Sequence, residues 1–409
     1  MVISKLAQLR HPNLISMVYK AVQSGVSNGT KAAGEMIREH ILPAGRDVTR
    51  PIIAPFQRPT AEEDAATYAQ IGYNLYSDTV TLPTQAMRTA MAEAQCGDDV
   101  HLEHPTTTLF QDLIAKVTGK EAALFLPSGT LSNQLALHAH LTRAGGPASV
   151  LCDKRAHVYA HETGGIAYHS RAATQTVAPS NKHHLTLEDI QAHAVLDEDQ
   201  HYAPTRVIGL ENTLSGTIFP QDEIVRISDW AHDAGLIMHL DGARLWNVAA
   251  ETGLALDELC RPFDTVSLCL SKGIGAPIGS ILVGPADLLR RVRTFRKLFG
   301  AGMRQTAVLT SAAHVAVHDV FPKLRGTHDL ARRCAAMLTE RGIPLLLPTE
   351  TNMVWFDVGA AGYDPEELVR RAAALDPPIT MHPPRLVFHH QIRPDAVDRL
   401  AAVLDAMKA

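Results

Sequence analysis

A lysine stands directly after a strongly apolar stretch of the chain, in a turn made of small residues. The run Thr265–Leu270 is followed by Ser271-Lys272-Gly273. Lysine rarely ends a buried strand unless its charge is paired or its amine takes part in chemistry. Because small neighbours let a ligand approach the backbone, Lys272 is a candidate Schiff-base amine. The alternative is a lysine whose amine simply reaches solvent.

Two other turns after apolar runs carry complementary chemistry. The run Leu236–Leu240 ends at Asp241, a carboxylate that could cap a helix, bind a metal or hold a protonated ring nitrogen. The run Ala122–Leu126 leads through Pro127 into Ser128-Gly129-Thr130, at the start of a predicted helix. Helix N-termini bind anions such as phosphate, although serine and threonine there are more often plain N-caps. Neither turn alone identifies a ligand.

The three turns together indicate one cofactor. A phosphate-binding turn, a carboxylate and a lysine, each after a separate strand, are what pyridoxal 5'-phosphate requires. The lysine attaches the cofactor, and the carboxylate keeps the pyridine nitrogen protonated so that the ring accepts electrons from the substrate Cα. We therefore predict that Lys272, Asp241 and residues 128–130 share a site.

The elements that must position these turns alternate between apolar runs and helical stretches after Gly72. Alternating strands and helices predict an α/β fold with a mainly parallel sheet flanked by helices, whose ligands bind beyond the carboxyl ends of the strands. The further predicted strands are Ser149–Cys152, Arg206–Leu210 and Ser280–Val283. A helix near Pro365–Ala374, a strand at Arg385–Phe388 and a terminal helix after Pro394 predict a smaller α+β domain.

Composition limits the class of protein. The chain has 409 residues, of which 46% are hydrophobic and 20% charged, with a net charge of −5, as expected of a soluble globular protein. It has neither a long basic stripe nor an apolar run of the ~18 residues that span a bilayer, so we expect no nucleic acid and no membrane as partners. Five scattered cysteines without a C-x-x-C pair indicate a reduced compartment.

The first 70 residues differ from the rest. Residues 1–34 contain basic residues and serines but no Asp or Glu, which is typical of a mitochondrial transit peptide, and an amphipathic arm is the equal alternative. We therefore expect a cytoplasmic or a mitochondrial protein. Repeated prolines between Ile41 and Gln70 predict a linker or extended arm. The expected divisions are 1–70 for the arm, 71–325 for the large domain and 326–409 for the small domain.

Seven motifs identify a family. As a set, and in their order, they resemble the threonine aldolase and β-eliminating lyase family of pyridoxal-phosphate enzymes over about residues 72–409. The motifs are Asn74-Leu75-Tyr76-Ser77-Asp78-Thr79-Val80-Thr81, Gly97-Asp98-Asp99-Val100, Leu126-Pro127-Ser128-Gly129-Thr130, Leu210-Glu211-Asn212-Thr213, His239-Leu240-Asp241-Gly242-Ala243-Arg244, Ser267-Leu268-Cys269-Leu270-Ser271-Lys272-Gly273 and Gly302-Met303-Arg304-Gln305.

The resemblance implies roles for individual residues and a fold type I large domain. Lys272 resembles the lysine that attaches the cofactor, Asp241 its pyridinium partner and Gly129-Thr130 the phosphate turn. Arg304 is similar to an arginine that reaches a cofactor phosphate across a subunit interface, which implies a homodimer or homotetramer. Three residues match positions that bind the substrate α-carboxylate, and one histidine matches a residue that stacks on the cofactor ring and is a candidate base. The three carboxylate-binding candidates are Ser77, Arg244 and Arg385, and the histidine is His157.

Several positions depart from the family pattern at the rim of the expected site. Tyr76 stands where arginine is usual, Leu214 replaces a common histidine, and Ala301 replaces a glycine. In the stretch that is usually Tyr-Gly-Glu-Asp, this chain has His101 at the first position and His104 at the last. These substitutions indicate either drift near the entrance or a changed substrate preference, and His101 is included among the candidate substrate-binding residues.

Histidine is abundant, with 21 residues, and a metal site is the obvious alternative. His157 and His161 are four residues apart and could share a helix face with Asp153. No third histidine at zincin spacing follows, and cofactor stacking explains His157 better, so we predict no metal.

The resemblance implies retro-aldol cleavage of L-threonine, L-allo-threonine or a related β-hydroxy-α-amino acid into glycine and an aldehyde. An amino-acid racemase of the same family, acting on alanine, is the main alternative, because the altered rim could supply an acid and a base on both faces of Cα. A non-catalytic cofactor-binding protein is a third possibility and predicts no turnover.

Overall fold

A computed structural model describes residues 59–103, 105–197 and 200–408 of the chain. The expected transit peptide and His104 therefore lie outside the described residues, and so does most of the predicted arm. One part of the arm is described and corrects the prediction of a linker up to Gln70: residues Ala61–Ile71 form an α-helix. Three acidic residues in its first turn stabilise the helix N-terminus, a local signal that the prolines before it obscured.

The large sheet has seven strands in the spatial order β1-β7-β6-β5-β4-β2-β3. Strand β7 pairs antiparallel with both of its neighbours, and every other pairing is parallel, which confirms the predicted mainly parallel sheet. The strands are β1 (Ala122–Leu126), β2 (Ser149–Asp153), β3 (Ala173–Val177), β4 (Thr205–Glu211), β5 (Ile237–Asp241), β6 (Thr265–Cys269) and β7 (Ser280–Gly284). The carboxyl ends of β1, β4, β5 and β6 consequently meet at one edge.

Helices cover both faces of this sheet and connect its strands. In the first part of the chain they are α1 (Ala61–Ile71), α2 (Gln85–Ala92), α3 (Pro105–Val117), α4 (Gly129–Ala144), α5 (His157–Ala160), α6 (Gly165–Ser170), α7 (Leu187–His193) and α8 (Gln221–Asp233). They continue with α9 (Leu245–Thr252), α10 (Leu256–Cys260), α11 (Ala286–Leu298), α12 (Ala307–Val315), α13 (Leu324–Glu340), α14 (Pro365–Ala373) and α15 (Asp395–Lys408). Short 3-10 turns cover Asp78–Val80, Asp99–His101, Phe321–Lys323 and Gly359–Ala361, and a π-helical turn covers Ala316–Val320. None of the helices in the described part of the chain is long and apolar enough to cross a membrane.

The C-terminal region has a hydrophobic cluster of its own. Strands β8 (Met353–Trp355) and β9 (Arg385–Val387) pair antiparallel, and α13, α14 and α15 pack around them. Tyr73 and Leu75, from the segment after α1, belong to this cluster although they lie far away in sequence. Helix α13 begins at Leu324 and runs across residue 326, so the proposed domain boundary stays a prediction.

Gly279 allows β7 to enter the sheet directly beside β1. Its φ is +120°, and a Cβ there would lie 2.4 Å from Cε2 of Phe125, a fully buried residue of β1. The Gly279 carbonyl also accepts a hydrogen bond from the amide of Leu270, which closes the turn carrying Lys272. The position therefore combines a left-handed backbone with a close approach, and each condition alone disfavours a side chain.

We predict that Gly279→Ala destabilises the protein far more than Gly235→Ala. Gly235 also has a positive φ, but a Cβ there would meet nothing within 4 Å, so it serves as the matched control for backbone strain. The control should cost about 1–2 kcal/mol, and overpacking against Phe125 should add about 1–3 kcal/mol at Gly279. Denaturant unfolding of both variants measures the difference. Equal losses would contradict the close approach described here.

Candidate active site

Residues from four turns and helices line a cavity of about 290 Å³ at the carboxyl edge of the sheet. The walls contain Ser128, Gly129 and Thr130 after β1, Asp241 at the end of β5, Lys272 after β6, and His157 at the start of α5. The lysine, carboxylate and helix-start turn predicted to share a site therefore do line one cavity. The parallel strands explain this, because their carboxyl ends meet at the same edge.

The turn before α4 is shaped for a close ligand. The Ser128 hydroxyl is the N-cap and accepts a hydrogen bond from the amide of Leu131 at 3.2 Å. The first amides of a helix have no acceptor within the helix, so those of Gly129 and Thr130 can bind an anion. A Cβ on Gly129 would lie 2.9 Å from the sulfur of Cys269, so only glycine fits between the helix start and β6.

Asp241 is buried and is held by two donors. The amide of Ala243 donates to Oδ1 at 3.0 Å, and the side-chain amide of Asn133 donates to Oδ2 at 2.7 Å. Asn133, in α4, also donates to Glu162 at 3.0 Å, so the two carboxylates share one amide group. Neither Asn133 nor Glu162 was singled out by the sequence analysis.

His157 is the histidine that the structure brings to this cavity. Its Nδ1 lies 2.9 Å from Oε1 of Glu162, whose side chain is fully buried. The hydrogen bond to Glu162 raises the pKa of His157 against the opposing effect of burial, and the charge of Asp241 acts in the same direction. Because the carboxylate can only accept, Nδ1 carries the hydrogen and Nε2 of the neutral ring is free to accept a proton.

A third carboxyl group, Glu211, lies at the end of β4 next to Asp241, its partner in the strand register. It accepts a hydrogen bond from the backbone amide of His157 at 2.7 Å. Burial and the negative charge of Asp241 raise the pKa of Glu211 to about 8. The backbone hydrogen bond and the charges of His157 and Lys272 oppose this shift and do not cancel it.

The predicted carboxylate-binding residues form a separate polar group beside the cavity. Arg244 donates from Nε and Nη2 to the two oxygens of Asp78, at 2.8 and 2.6 Å. Burial alone would raise the pKa of Asp78, but the Arg244 guanidinium outweighs it and holds the pKa below its usual value. Arg244 is thus already paired, and its predicted contact with a substrate would have to use Nη1.

Arg385 and Ser77 lie close to this ion pair. Arg385 donates from Nη2 to the carbonyl of Tyr76 at 3.3 Å, and its guanidinium lies 5.7 Å from the Trp355 ring. The hydroxyl of Ser77 accepts from the amide of Thr79 at 3.2 Å and from its hydroxyl at 2.8 Å. Of these residues, Thr79 is the one that reaches the cavity wall.

Two further predicted residues, Arg304 and His101, also lie away from the cavity wall. Arg304 is half exposed and pairs with Asp98, and His101 is exposed at the end of a 3-10 turn. Neither residue lines the cavity formed by the described residues. Both roles stay predictions, and for Arg304 the resemblance implied a contact with the site of a neighbouring subunit.

The residues present fit pyridoxal phosphate. One cavity is lined by the Lys272 amine, the buried Asp241 carboxylate and the helix start at Gly129, which are the three groups that the cofactor requires. His157, Glu162 and Asp241 also place ligand atoms within 4.8 Å of one another, as a metal site would. Hydrogen bonds from Asn133 and from Nδ1 of His157 already reach these carboxylates, and the expected absence of a metal stays a prediction.

The sheet, the small C-terminal region and this cavity define the class: the fold is that of the type I pyridoxal-phosphate enzymes. A structure of Leishmania major threonine aldolase superposes with a TM-score of 0.70 at 21% identity, covering 82% of this chain and all of that one. Sphingomonas wittichii serine palmitoyltransferase, at 16% identity, gives a TM-score of 0.62 and covers 82% and 86%.

The family follows from the sequence comparisons. The model of the beta-eliminating lyase family matches residues 74–361, and the chain belongs to this family. Low specificity L-threonine aldolase of Saccharomyces cerevisiae is 43% identical over 335 residues, 81% of this chain and 86% of the relative. Alanine racemase of Cochliobolus carbonum is 36% identical over 342 residues, 81% of this chain and 87% of the relative. The resemblance inferred from the motifs is confirmed.

We predict that the stability of the Glu211→Gln variant, measured relative to the parent protein, increases as the pH rises from 5 to 8. The folded protein binds the Glu211 proton more tightly than the unfolded chain does, so the parent loses stability between the ordinary pKa and about 8. Glutamine cannot ionise, so the variant does not lose stability in this way as the pH rises. Thermal midpoints of both proteins across this range test the sign, with the exposed Glu366→Gln as control. A difference that is constant with pH would contradict a raised pKa.

Proposed function

We propose that the protein is a pyridoxal-phosphate-dependent aldolase that cleaves L-threonine, L-allo-threonine or a related β-hydroxy-α-amino acid to glycine and an aldehyde. The observation that carries the proposal is that Lys272, Asp241, His157 and the Gly129 turn line one cavity. The 43% identity to the threonine aldolase of Saccharomyces cerevisiae, over most of both chains, supports this choice of reaction.

Each residue has a defined task in holding the cofactor. Lys272 would be its covalent attachment point, and the Asp241 carboxylate would accept a hydrogen bond from the ring nitrogen. The amides of Gly129 and Thr130, with the N-cap Ser128, would bind the phosphate. When bound, pyridoxal phosphate supplies an electron-accepting ring that stabilises negative charge at the substrate Cα.

The remaining residues act on the substrate. Arg385, Ser77 and the free Nη1 of Arg244 would bind the α-carboxylate, since the guanidinium group matches a carboxylate in shape and charge. Nε2 of His157 takes the β-hydroxyl proton as the Cα–Cβ bond breaks, and the Cβ–O bond becomes the aldehyde carbonyl. The electron pair stays on Cα, which gains a proton to give glycine. The Glu162 hydrogen bond on Nδ1 makes this ring a stronger base.

Cleavage rather than racemisation is tested by the products. With pyridoxal phosphate added, L-threonine or L-allo-threonine should yield equal amounts of glycine and acetaldehyde, and L-alanine should keep its configuration. Lys272→Ala should abolish turnover and the visible absorbance of the attached cofactor, while the exposed Lys116→Ala on α3 should retain both. Loss of optical activity from L-alanine without glycine release from threonine would favour the racemase, an alternative supported by the 36% identity to the Cochliobolus carbonum enzyme. A cofactor-loaded protein that turns over no amino acid would contradict both.

The assembly is a homodimer or homotetramer with shared sites. Arg304 lies outside the cavity wall of its own chain, as expected of a residue that completes a neighbouring site. On α3, Leu109 and Leu113 are 66% and 36% exposed, one turn apart, which is unusual for a free surface. The compartment is cytoplasmic, or mitochondrial if residues 1–34 act as a transit peptide.

The pH dependence of cleavage should depend on Glu162. Only neutral His157 can accept the β-hydroxyl proton, so kcat/KM should rise with pH through the pKa of His157, which lies above its ordinary value. Glu162→Gln removes the hydrogen-bonded carboxylate that is the largest cause of this shift and should move the rise to lower pH, with a reduced plateau. Profiles of kcat/KM for both proteins and for the control Glu366→Gln measure it. An unchanged profile would exclude His157 as the base.

A further inference from the structure

From Asn133 in the cavity wall, a chain of buried hydrogen bonds connects α4 to the strands of the sheet. Asn133 donates from Nδ2 to Asp241 and Glu162, and its Oδ1 lies 3.2 Å from Nε2 of His239. Nδ1 of His239 lies 2.9 Å from the hydroxyl of Thr265. Both Asn133 and His239 are 1% exposed, so water does not compete for these contacts.

The direction of every hydrogen bond in this chain is fixed. Asn133 turns its NH₂ group towards the carboxyl oxygens of Asp241 and Glu162 and its oxygen towards His239. Burial lowers the pKa of His239 to about 3, so its ring is neutral. Its one hydrogen is therefore on Nε2, facing Asn133, and Nδ1 accepts from Thr265. No alternative arrangement satisfies the same atoms.

We propose that Asn133 is a positioning residue that holds the Asp241 carboxylate correctly placed for the cofactor ring while joining it to the Glu162 and His157 pair. Two carboxylates this close repel each other, and a buried carboxylate without donors takes up a proton. The Asn133 amide gives each of them a donor at the same time. A protonated Asp241 could not keep the ring nitrogen protonated, so the amide supports the carboxylate on which the electron-accepting ring depends. This inference rests on the proposed function.

The neighbouring residue offers a matched control. Gln134 follows Asn133 in α4, is 2% exposed, and donates to the other oxygen of Glu162 at 2.6 Å. It makes no hydrogen bond to Asp241 among the described residues. Removing either amide thus costs Glu162 one donor, but only the loss of Asn133 also costs Asp241 a donor.

The experiment compares Asn133→Ala, Asn133→Asp and Gln134→Ala as cofactor-loaded enzymes. Asn133→Ala should weaken pyridoxal phosphate binding about tenfold or more, the effect expected for a hydrogen bond to a buried charge. It should also lower kcat for L-threonine about tenfold, with KM changed much less, because the ring and not the substrate carboxylate is affected. Asn133→Asp keeps the shape, supplies no NH₂ group and should show the same losses. Gln134→Ala should keep the cofactor dissociation constant within about threefold of the parent.

Circular dichroism and thermal midpoints separate these effects from a failure to fold. Cofactor affinity lost equally in Asn133→Ala and Gln134→Ala, or retained in Asn133→Ala, would overturn the inference. Unfolding of both Asn133 variants at a temperature where Gln134→Ala stays folded would also overturn the inference, because the role of Asn133 would then be structural. If the parent protein neither binds pyridoxal phosphate nor cleaves threonine, the proposed function is refuted. That result differs from a failure of the Asn133 inference alone, in which the parent protein is active.

Discussion

The burial of three carboxyl groups at one edge of the sheet is the constraint on which the site depends. Glu211 and Asp241 are register partners at the ends of β4 and β5, and Glu162 approaches from the α5–α6 turn. Such groups are tolerated when donors or cations compensate them or when they keep a proton. The structure uses both solutions: Asn133 and its neighbours supply N–H groups to Asp241 and Glu162, whereas the pKa of Glu211 is raised. The acidic surroundings also favour a cationic ring nitrogen and a protonatable histidine in the cavity.

A second buried pair connects parts of the chain that are distant in sequence. Asp78 precedes the large sheet and accepts both hydrogen bonds of Arg244, from the turn after β5, while Asn352, next to β8, donates to the same carboxylate at 3.3 Å. Removing one partner of a buried ion pair leaves an uncompensated charge, which costs about 3–5 kcal/mol. The pair therefore fixes the N-terminal segment, the sheet and the C-terminal region around the substrate side of the cavity. An arginine that already holds this position has one nitrogen left for a substrate.

The sequence predicted those parts of the site that follow apolar runs, because strand ends are readable from local pattern. Lys272, Asp241 and Gly129 were found in this way, and six of the seven strands of the large sheet with them. Strand β3 was missed because its sequence, Ala-Thr-Gln-Thr-Val, is polar, as suits an edge strand with one buried residue. Asn133 and Glu162 gave no signal: the amide has its partners more than 25 residues away, and the hydrogen bond of Glu162 to His157 crosses a loop without a regular spacing. The role expected of Arg304 involves a neighbouring subunit, and the substrate contact expected of His101 stays a prediction.

The same carboxylates support the proposal that His157 acts as a base. Nδ1 of His157 carries a hydrogen directed at Glu162, so in this arrangement that nitrogen has no lone pair to offer a cation. A ring N–H above Asp241 meets a free lone pair, and a substrate hydroxyl at Nε2 of His157 meets another. The direction of the His157–Glu162 hydrogen bond, which sequence spacing does not encode, thus supports the proposed proton transfer at Nε2 beside an electron-accepting ring. The aldolase reaction needs both at adjacent carbons of one substrate.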